Sequence, residues 1–82
     1  MADQQLLEDL RVYLRDEVMQ DPGYDLAVDE ALISSGLIDS FSLVDIAMHV
    51  EDTYGVEIDN SELNAENFDT VEQFAAYIEA NR

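Results

Sequence analysis

The stretch Gly36-Leu37-Ile38-Asp39-Ser40-Phe41, running directly into Ser42-Leu43-Val44-Asp45-Ile46-Ala47-Met48-His49-Val50-Glu51-Asp52-Thr53-Tyr54-Gly55, decides how the rest of the chain is read. Gly36 allows a tight turn, Asp39 is a good N-cap, and Gly55 suits the left-handed position that closes a helix. A helix over residues 40–54 is therefore expected, with Ser40 at or beside its first residue. There the first backbone N–H groups lack partners and the helix dipole is positive. A phosphate attached to that hydroxyl would be stabilised by the helix end itself.

The same helix has two apolar faces. At about 100° per residue, Leu43, Ile46, Ala47, Val50 and Tyr54 share the side wide enough to face a core. Phe41, Val44 and Met48 form a second stripe, roughly opposite, flanked by Asp45 and Asp52 on one edge and Glu51 on the other. An apolar stripe edged with carboxylates is what a docking surface for a basic partner requires. The alternative is a helix buried on two sides, in which Asp39-Ser40 is an ordinary cap. Periodicity alone leaves both open.

Charge is the strongest compositional signal. Twenty acidic residues stand against three arginines (Arg11, Arg15, Arg82) and no lysine, for a net charge of −17. Such a chain does not bind nucleic acid phosphate or anionic lipid by electrostatics, and its partners should be basic. The acids are spread through periodic apolar segments, which argues for a folded domain rather than an acidic tail. With 82 residues, 48% of them hydrophobic, one small domain over 1–82 is expected, and a monomer. A chain of this length buries only about 60% of its unfolded surface, so packing must be efficient. No cysteine is present, which removes disulfides, thiolate metal sites and cysteine nucleophiles and fits a cytoplasmic setting. Neither a secretory signal nor a membrane span is expected: the first residues carry no basic-then-apolar pattern, and no apolar run approaches about 20 residues.

Taken in order, the chain opens with a helix over 3–18, capped by Asp3, in which Leu6, Leu7, Leu10, Tyr13, Leu14 and Val18 fall on one stripe. Arg11 and Arg15 can pair with nearby acids such as Glu8, as surface charge worth a few tenths of a kcal/mol. Asp21-Pro22-Gly23 ends the region. A connection over 19–39 follows, too long to be structureless in so small a domain. Leu26, Val28, Leu32, Ile33 and Leu37 should tack it to the core, with a helical turn near 29–33. After Gly55, Val56-Glu57-Ile58 reads as a short extended link. A short helix over 62–67, capped by Asn60 or Ser61 and anchored by Leu63 and Phe68, should come next. The last helix begins at Asp69-Thr70, where Thr70 with Gln73, or Asp69 with Glu72, has capping-box spacing. Val71, Phe74, Ala75 and Ile78 then give i, i+3, i+4, i+7. The fold class expected is all-α: a small bundle of three main helices and one short one, with a long loop between the first two.

No catalytic constellation emerges. His49, the one histidine, lies nine residues after Ser40, which at about 100° per residue puts it on the opposite side of the helix. A nucleophile and base pair cannot form that way within one chain, and His49 is expected to be a solvated surface residue. Asp59-Asn60-Ser61-Glu62 lacks the glycine and terminal glutamate of a calcium loop, so no structural metal site is expected. The pattern points away from catalysis and towards a small acidic module that presents one feature.

Gly36-Leu37-Ile38-Asp39-Ser40-Phe41 resembles the glycine…Asp-Ser signature of acyl and peptidyl carrier proteins. The resemblance extends to the acidic second helix, to Tyr54-Gly55-Val56-Glu57-Ile58, and to Asn67-Phe68-Asp69-Thr70-Val71-Glu72 at the start of the last helix, and so covers nearly the whole chain. It implies a carrier fold, with Ser40 as the attachment point of a 4′-phosphopantetheine arm beside Asp39. It implies a separate Mg²⁺-dependent phosphopantetheinyl transferase that installs the arm from coenzyme A. The arm's thiol would hold acyl or aminoacyl groups as thioesters, delivered by a loading enzyme and consumed by synthase or transferase enzymes with basic docking surfaces. Phe41, Val44, Asp45, Met48, Glu51 and Asp52, with Asp39, match the positions through which family members dock. Three departures from the fatty-acid synthesis carrier (Ser42 where an acid is common, Phe41 for leucine, and the extra Ile38) look more like discrete carriers of polyketide, nonribosomal peptide or related pathways. A rival from another class is an acidic interaction protein, a nucleic-acid mimic or inhibitor, without a prosthetic group.

Overall fold

The computed structural model describes residues 4–82; the Asp3 cap lies outside them. Helix α1 (Gln4–Tyr13) buries Leu6 and Leu10, and the chain continues without a break as a π-helical turn, Leu14–Val18. Helix α2 (Ser42–Tyr54) and helix α3 (Val71–Asn81) complete the main set, with a three-residue 3₁₀ turn, Asn60–Glu62, between them. No strand occurs among the described residues. The protein is an all-α bundle with a long first connection, as its sequence implies.

The three helices enclose one hydrocarbon core. Leu6, Leu10 and Leu14 meet Leu43, Ile46 and Val50 of α2 and Val71, Phe74, Ala75 and Ile78 of α3, each of them buried. Val56 and Ile58 point inward from the extended link after Gly55. Phe68 lies against Phe74 with ring centroids 4.8 Å apart. No polar or charged side chain is buried among the described residues. Gly55 closes α2 in the left-handed region (φ 70°), where its N–H donates to the Glu51 carbonyl at 2.9 Å. A residue with a Cβ is strained at that φ, which is why the helix stops where the glycine stands.

Several local details depart from the sequence reading. The first helix does not stay α-helical to Val18: Met19 N donates to Leu14 O at 2.8 Å, an i to i+5 bond. The extra residue in that turn changes the register, so that Val18 and Met19 both pack half-buried against the core. Gln20 then takes a positive φ of 55°, a strained place for a non-glycine residue, before Pro22 is reached. In the connection, two turns close on either side of the expected 29–33, at residues 27–30 (Glu30 N to Ala27 O, 3.2 Å) and 33–36 (Gly36 N to Ile33 O, 3.1 Å). Ile38, read as a motif residue, is buried beside Leu26 and Leu32. The short helix is displaced and shortened as well. Asp59, not Asn60 or Ser61, caps it, accepting from the Ser61 N–H and hydroxyl at 2.9 Å each. Two separate turns consume the residues that the longer helix needed. α3 resolves the capping alternatives in favour of Thr70 with Gln73: the Gln73 N–H donates to the threonine hydroxyl, and the Gln73 side chain accepts from the Thr70 N–H.

Arg11 pairs with Glu8 at 2.6 Å, Arg15 with Asp16 at 2.8 Å, and Arg82 with Glu79 at 4.0 Å. Every arginine thus has a carboxylate neighbour, and no further side-chain cation exists to offset the other acids. Repulsion among them opposes the compact state, and salt screens it over about 8 Å at physiological ionic strength. The melting temperature should therefore rise with NaCl, and more steeply with Mg²⁺ or Ca²⁺. A melting curve indifferent to both would show that the carboxylates are too dispersed to repel one another.

Candidate functional site

α2 begins two residues later than 40, because its lead-in is a tighter turn. Ser42 N donates to Asp39 O at 2.9 Å and Leu43 N to Ser40 O at 3.2 Å, both i to i+3 bonds. Asp39 still acts at this end: its Oδ1 accepts from Phe41 N at 3.1 Å. Ser40 therefore stands on the turn that feeds α2, and it is exposed.

The chain's five serines separate cleanly by environment. The Ser34 hydroxyl donates to Asp69 Oδ2, the Ser35 hydroxyl to Ala31 O, and the Ser61 hydroxyl to Asp59. Ser42 lies half-buried at the start of α2. Ser40 alone is exposed with a hydroxyl that hydrogen-bonds to no described residue. That hydroxyl can be reached from solvent without breaking anything.

Next to it run Phe41, Val44 and Met48, exposed by 83%, 54% and 58%. They are the large hydrophobic side chains that the described fold leaves in solvent, and all three lie on one stripe of α2. Leu43, at 2% exposure, Ile46 and Val50 lie on the other face, in the core. The reading in which α2 is buried on both sides is thereby overturned. Asp45, Glu51 and Asp52 are exposed along the stripe's edges.

His49 is half-buried, not fully solvated as its position suggested. Its ring stacks face to face on Tyr13, centroids 3.6 Å apart and planes 5° from parallel, with Tyr54 edge-on at 6.4 Å. Burial against these rings lowers its pKa, while Asp52 and Glu17 pull the other way. One stacked tyrosine and one perpendicular to the imidazole cover it in part, a pairing that no local pattern announces.

Asp69 is the residue that sequence reasoning missed. Its spacing to Glu72 offers one of the two possible caps for α3, yet its carboxylate turns back to the connection. Oδ1 accepts from the N–H groups of Leu32 (3.1 Å), Ile33 (2.7 Å) and Ser34 (3.0 Å), and Oδ2 accepts from the Ser34 hydroxyl at 2.6 Å. The Ser34 hydroxyl foremost, helped by the three amides, holds this carboxyl below the usual aspartate range against the opposing effect of partial burial. A depressed folded pKa gives stability that is complete above the ordinary aspartate value of 3.8 and is lost as pH falls through the folded value. The amide resonances of residues 32–34 should therefore shift in one acid step below pH 3.8. In Asp69→Asn that step should vanish, and its persistence would assign it to another carboxyl.

Among known proteins, residues 8–78 match the family model described as a phosphopantetheine attachment site. The chain belongs to this family. It is a carrier, and 4′-phosphopantetheine is its covalently attached prosthetic group; domains of this kind are generally non-catalytic. The reading as an acidic inhibitor without a prosthetic group is replaced by that assignment. A solved structure titled "Crystal structure of FAD-dependent dehydrogenase" contains a chain 31% identical to this one, with a TM-score of 0.71. The match covers 83% of this carrier and 96% of that chain. No curated protein matches the carrier. Within the described residues no helix is long and apolar enough to cross a membrane.

The site fits such a group. The Ser40 hydroxyl is exposed on the turn into a 13-residue helix, whose positive end favours a phosphodiester. The N–H groups of residues 41–44, expected to be unpaired, are instead taken by Asp39, Ser40 and Phe41, so the helix dipole and the hydroxyl's exposure carry the fit. An open cleft of about 550 Å³, lined by Tyr13, Glu17, Val18, Gln20, Ser42, Asp45 and His49, separates the π-helical turn from α2.

Proposed function

We propose that Ser40 carries the phosphopantetheine arm and that residues 1–82 form a single carrier domain. When bound, the arm supplies a thiol on which acyl or aminoacyl groups ride as thioesters. The observation that carries this reading is the environment of Ser40: exposed, free of hydrogen bonds to described residues, and next to a stripe of exposed apolar side chains. Phe41, Val44 and Met48 are the apolar anchors of the docking surface; Asp39, Asp45, Glu51 and Asp52 are its charged rim. The charges guide the approach of basic partner enzymes and the anchors hold them, the division seen where hot spots are ringed by polar groups. A phosphopantetheinyl transferase docks first, then loading and downstream enzymes.

The cargo belongs to a specialised pathway, polyketide, nonribosomal peptide or related, rather than to bulk fatty-acid synthesis. Ser42, Phe41 and Ile38 support that subtype. The similar chain in a structure titled as an FAD-dependent dehydrogenase supports a flavin enzyme as one partner that acts on the bound cargo. The test is an intact mass spectrum after incubation of the apo-protein with coenzyme A and a promiscuous transferase. A gain of one phosphopantetheine is expected; an unmodified chain under conditions that modify another carrier would end this reading.

A further inference from the structure

Asp69 and Leu32 are 37 residues apart, yet they are joined twice. The single Leu32 N–H is shared, donating also to the Asp69 backbone carbonyl at 2.7 Å, and between the same two segments Glu72 N donates to Val28 O at 3.1 Å. From Leu32 the path to Ser40 is short. Leu32 O accepts from Ile38 N at 3.0 Å, and the Ile38 side chain is seated in the core at 4% exposure. Asp39 follows, bound to Phe41 N by its side chain and to Ser42 N by its carbonyl. The turn at residues 33–36 is thus held at its start by Asp69 and at its end by Ile38.

Capping α3 does not account for the Asp69 carboxylate. Thr70 and Gln73 already satisfy that helix end, and the Asp69 N–H is taken by Gln73 Oε1 at 2.5 Å. All four contacts of the carboxylate go instead to the segment that leads to Ser40. A full negative charge is an unfavourable addition to a chain of net charge −17. An anion gathering three backbone amides and a hydroxyl makes hydrogen bonds roughly twice as strong as neutral ones, which gives the charge a purpose here.

We propose that Asp69 is a positioning residue for the carrier's modification. By clasping residues 32–34 to the start of α3, it sets the place and orientation that Ser40 offers to the enzymes docking on α2. The proposal rests on Ser40 being the attachment site. The path from Asp69 to Ser40 is contiguous, each contact in it being an identified hydrogen bond or a buried side chain.

The experiment uses the apo-protein, coenzyme A and a promiscuous phosphopantetheinyl transferase, at a temperature where circular dichroism shows every variant folded. Asp69→Ala should raise the KM for the carrier about tenfold, the equivalent of one charge-assisted hydrogen bond, with kcat little changed. Asp69→Asn keeps an oxygen facing the amides and should recover to within about threefold of the parent. Ile78→Val, a core change at the far end of α3, should leave KM alone. Amide exchange at Leu32, Ile33 and Ser34 should accelerate in Asp69→Ala, while Gln73 stays protected. Faster exchange at those amides with an unchanged KM would overturn the proposal. So would a KM raised equally by Ile78→Val, which would mark the effect as general loss of stability. If Asp69→Ala does not fold, Ser34→Ala removes one contact and should raise KM about twofold, and no change there refutes the clasp's role. Should Ser40→Ala still gain the arm, the proposal falls with the site assignment, and the exchange data then show separately whether the clasp exists.

Discussion

Ser40→Ala is expected to fold and melt like the parent protein and to acquire no phosphopantetheine at all. The effect on modification is all or none because no other hydroxyl can substitute. Those of Ser34, Ser35 and Ser61 are engaged in hydrogen bonds, and Ser42 is half-buried in the first turn of α2. The absence of a cost to the fold follows from the same geometry. Alanine deletes a hydroxyl bonded to no described residue, and the Ser40 carbonyl still accepts from Leu43 N. Intact mass after transferase treatment reads one half of the expectation and thermal melting the other. Arm-bearing Ser40→Ala protein would place the site elsewhere.

The second large effect separates the faces of α2. Leu43, at 2% exposure, touches the core, and a buried leucine cut to alanine costs about 2–5 kcal/mol. A domain of this size has only about 4–12 kcal/mol in total, so Leu43→Ala should lose a large part of its stability, read directly as a fall in melting temperature. Met48, at 58% exposure, has no comparable packing to lose. Met48→Ala should melt within a few degrees of the parent but raise the KM of the transferase and of a loading enzyme, since an apolar anchor inside a charged rim dominates binding. Asp45→Lys and Glu51→Lys should slow the same reactions in a way that fades at high salt. A Met48→Ala protein with unaltered kinetics would remove it from the docking surface.

What the sequence made legible, and what it hid, follows the range of the interactions concerned. The two faces of α2 repeat every few residues, so Leu43, Ile46 and Val50 could be told from Phe41, Val44 and Met48 by counting. Thr70 with Gln73 and the glycine after Tyr54 act on neighbours within one turn, and they too were readable. Asp69 reaches back to residues 32–34, and Tyr13 stacks on a ring 36 positions away, so neither leaves a periodic trace. The π-helical turn at Leu14–Val18 depends on how the end of the first helix meets α2, and apolar spacing that fits an α-helix fits this turn almost as well. Ile38 was visible as a residue but not as an anchor, because nothing nearby alternates with it.

Among the described residues every buried side chain is hydrocarbon, and no charged side chain is buried. Volume-conserving exchanges among the inner residues cost less than about 1.5 kcal/mol and alter nothing that another protein touches. On the proposed docking surface, exchanges along the outer stripe would rewrite what a visiting enzyme meets and leave the packing alone. The two sets of positions are free to drift at different speeds, under different selection. A duplicated copy of such a gene could change its clientele through a handful of surface codons while inheriting its scaffold intact.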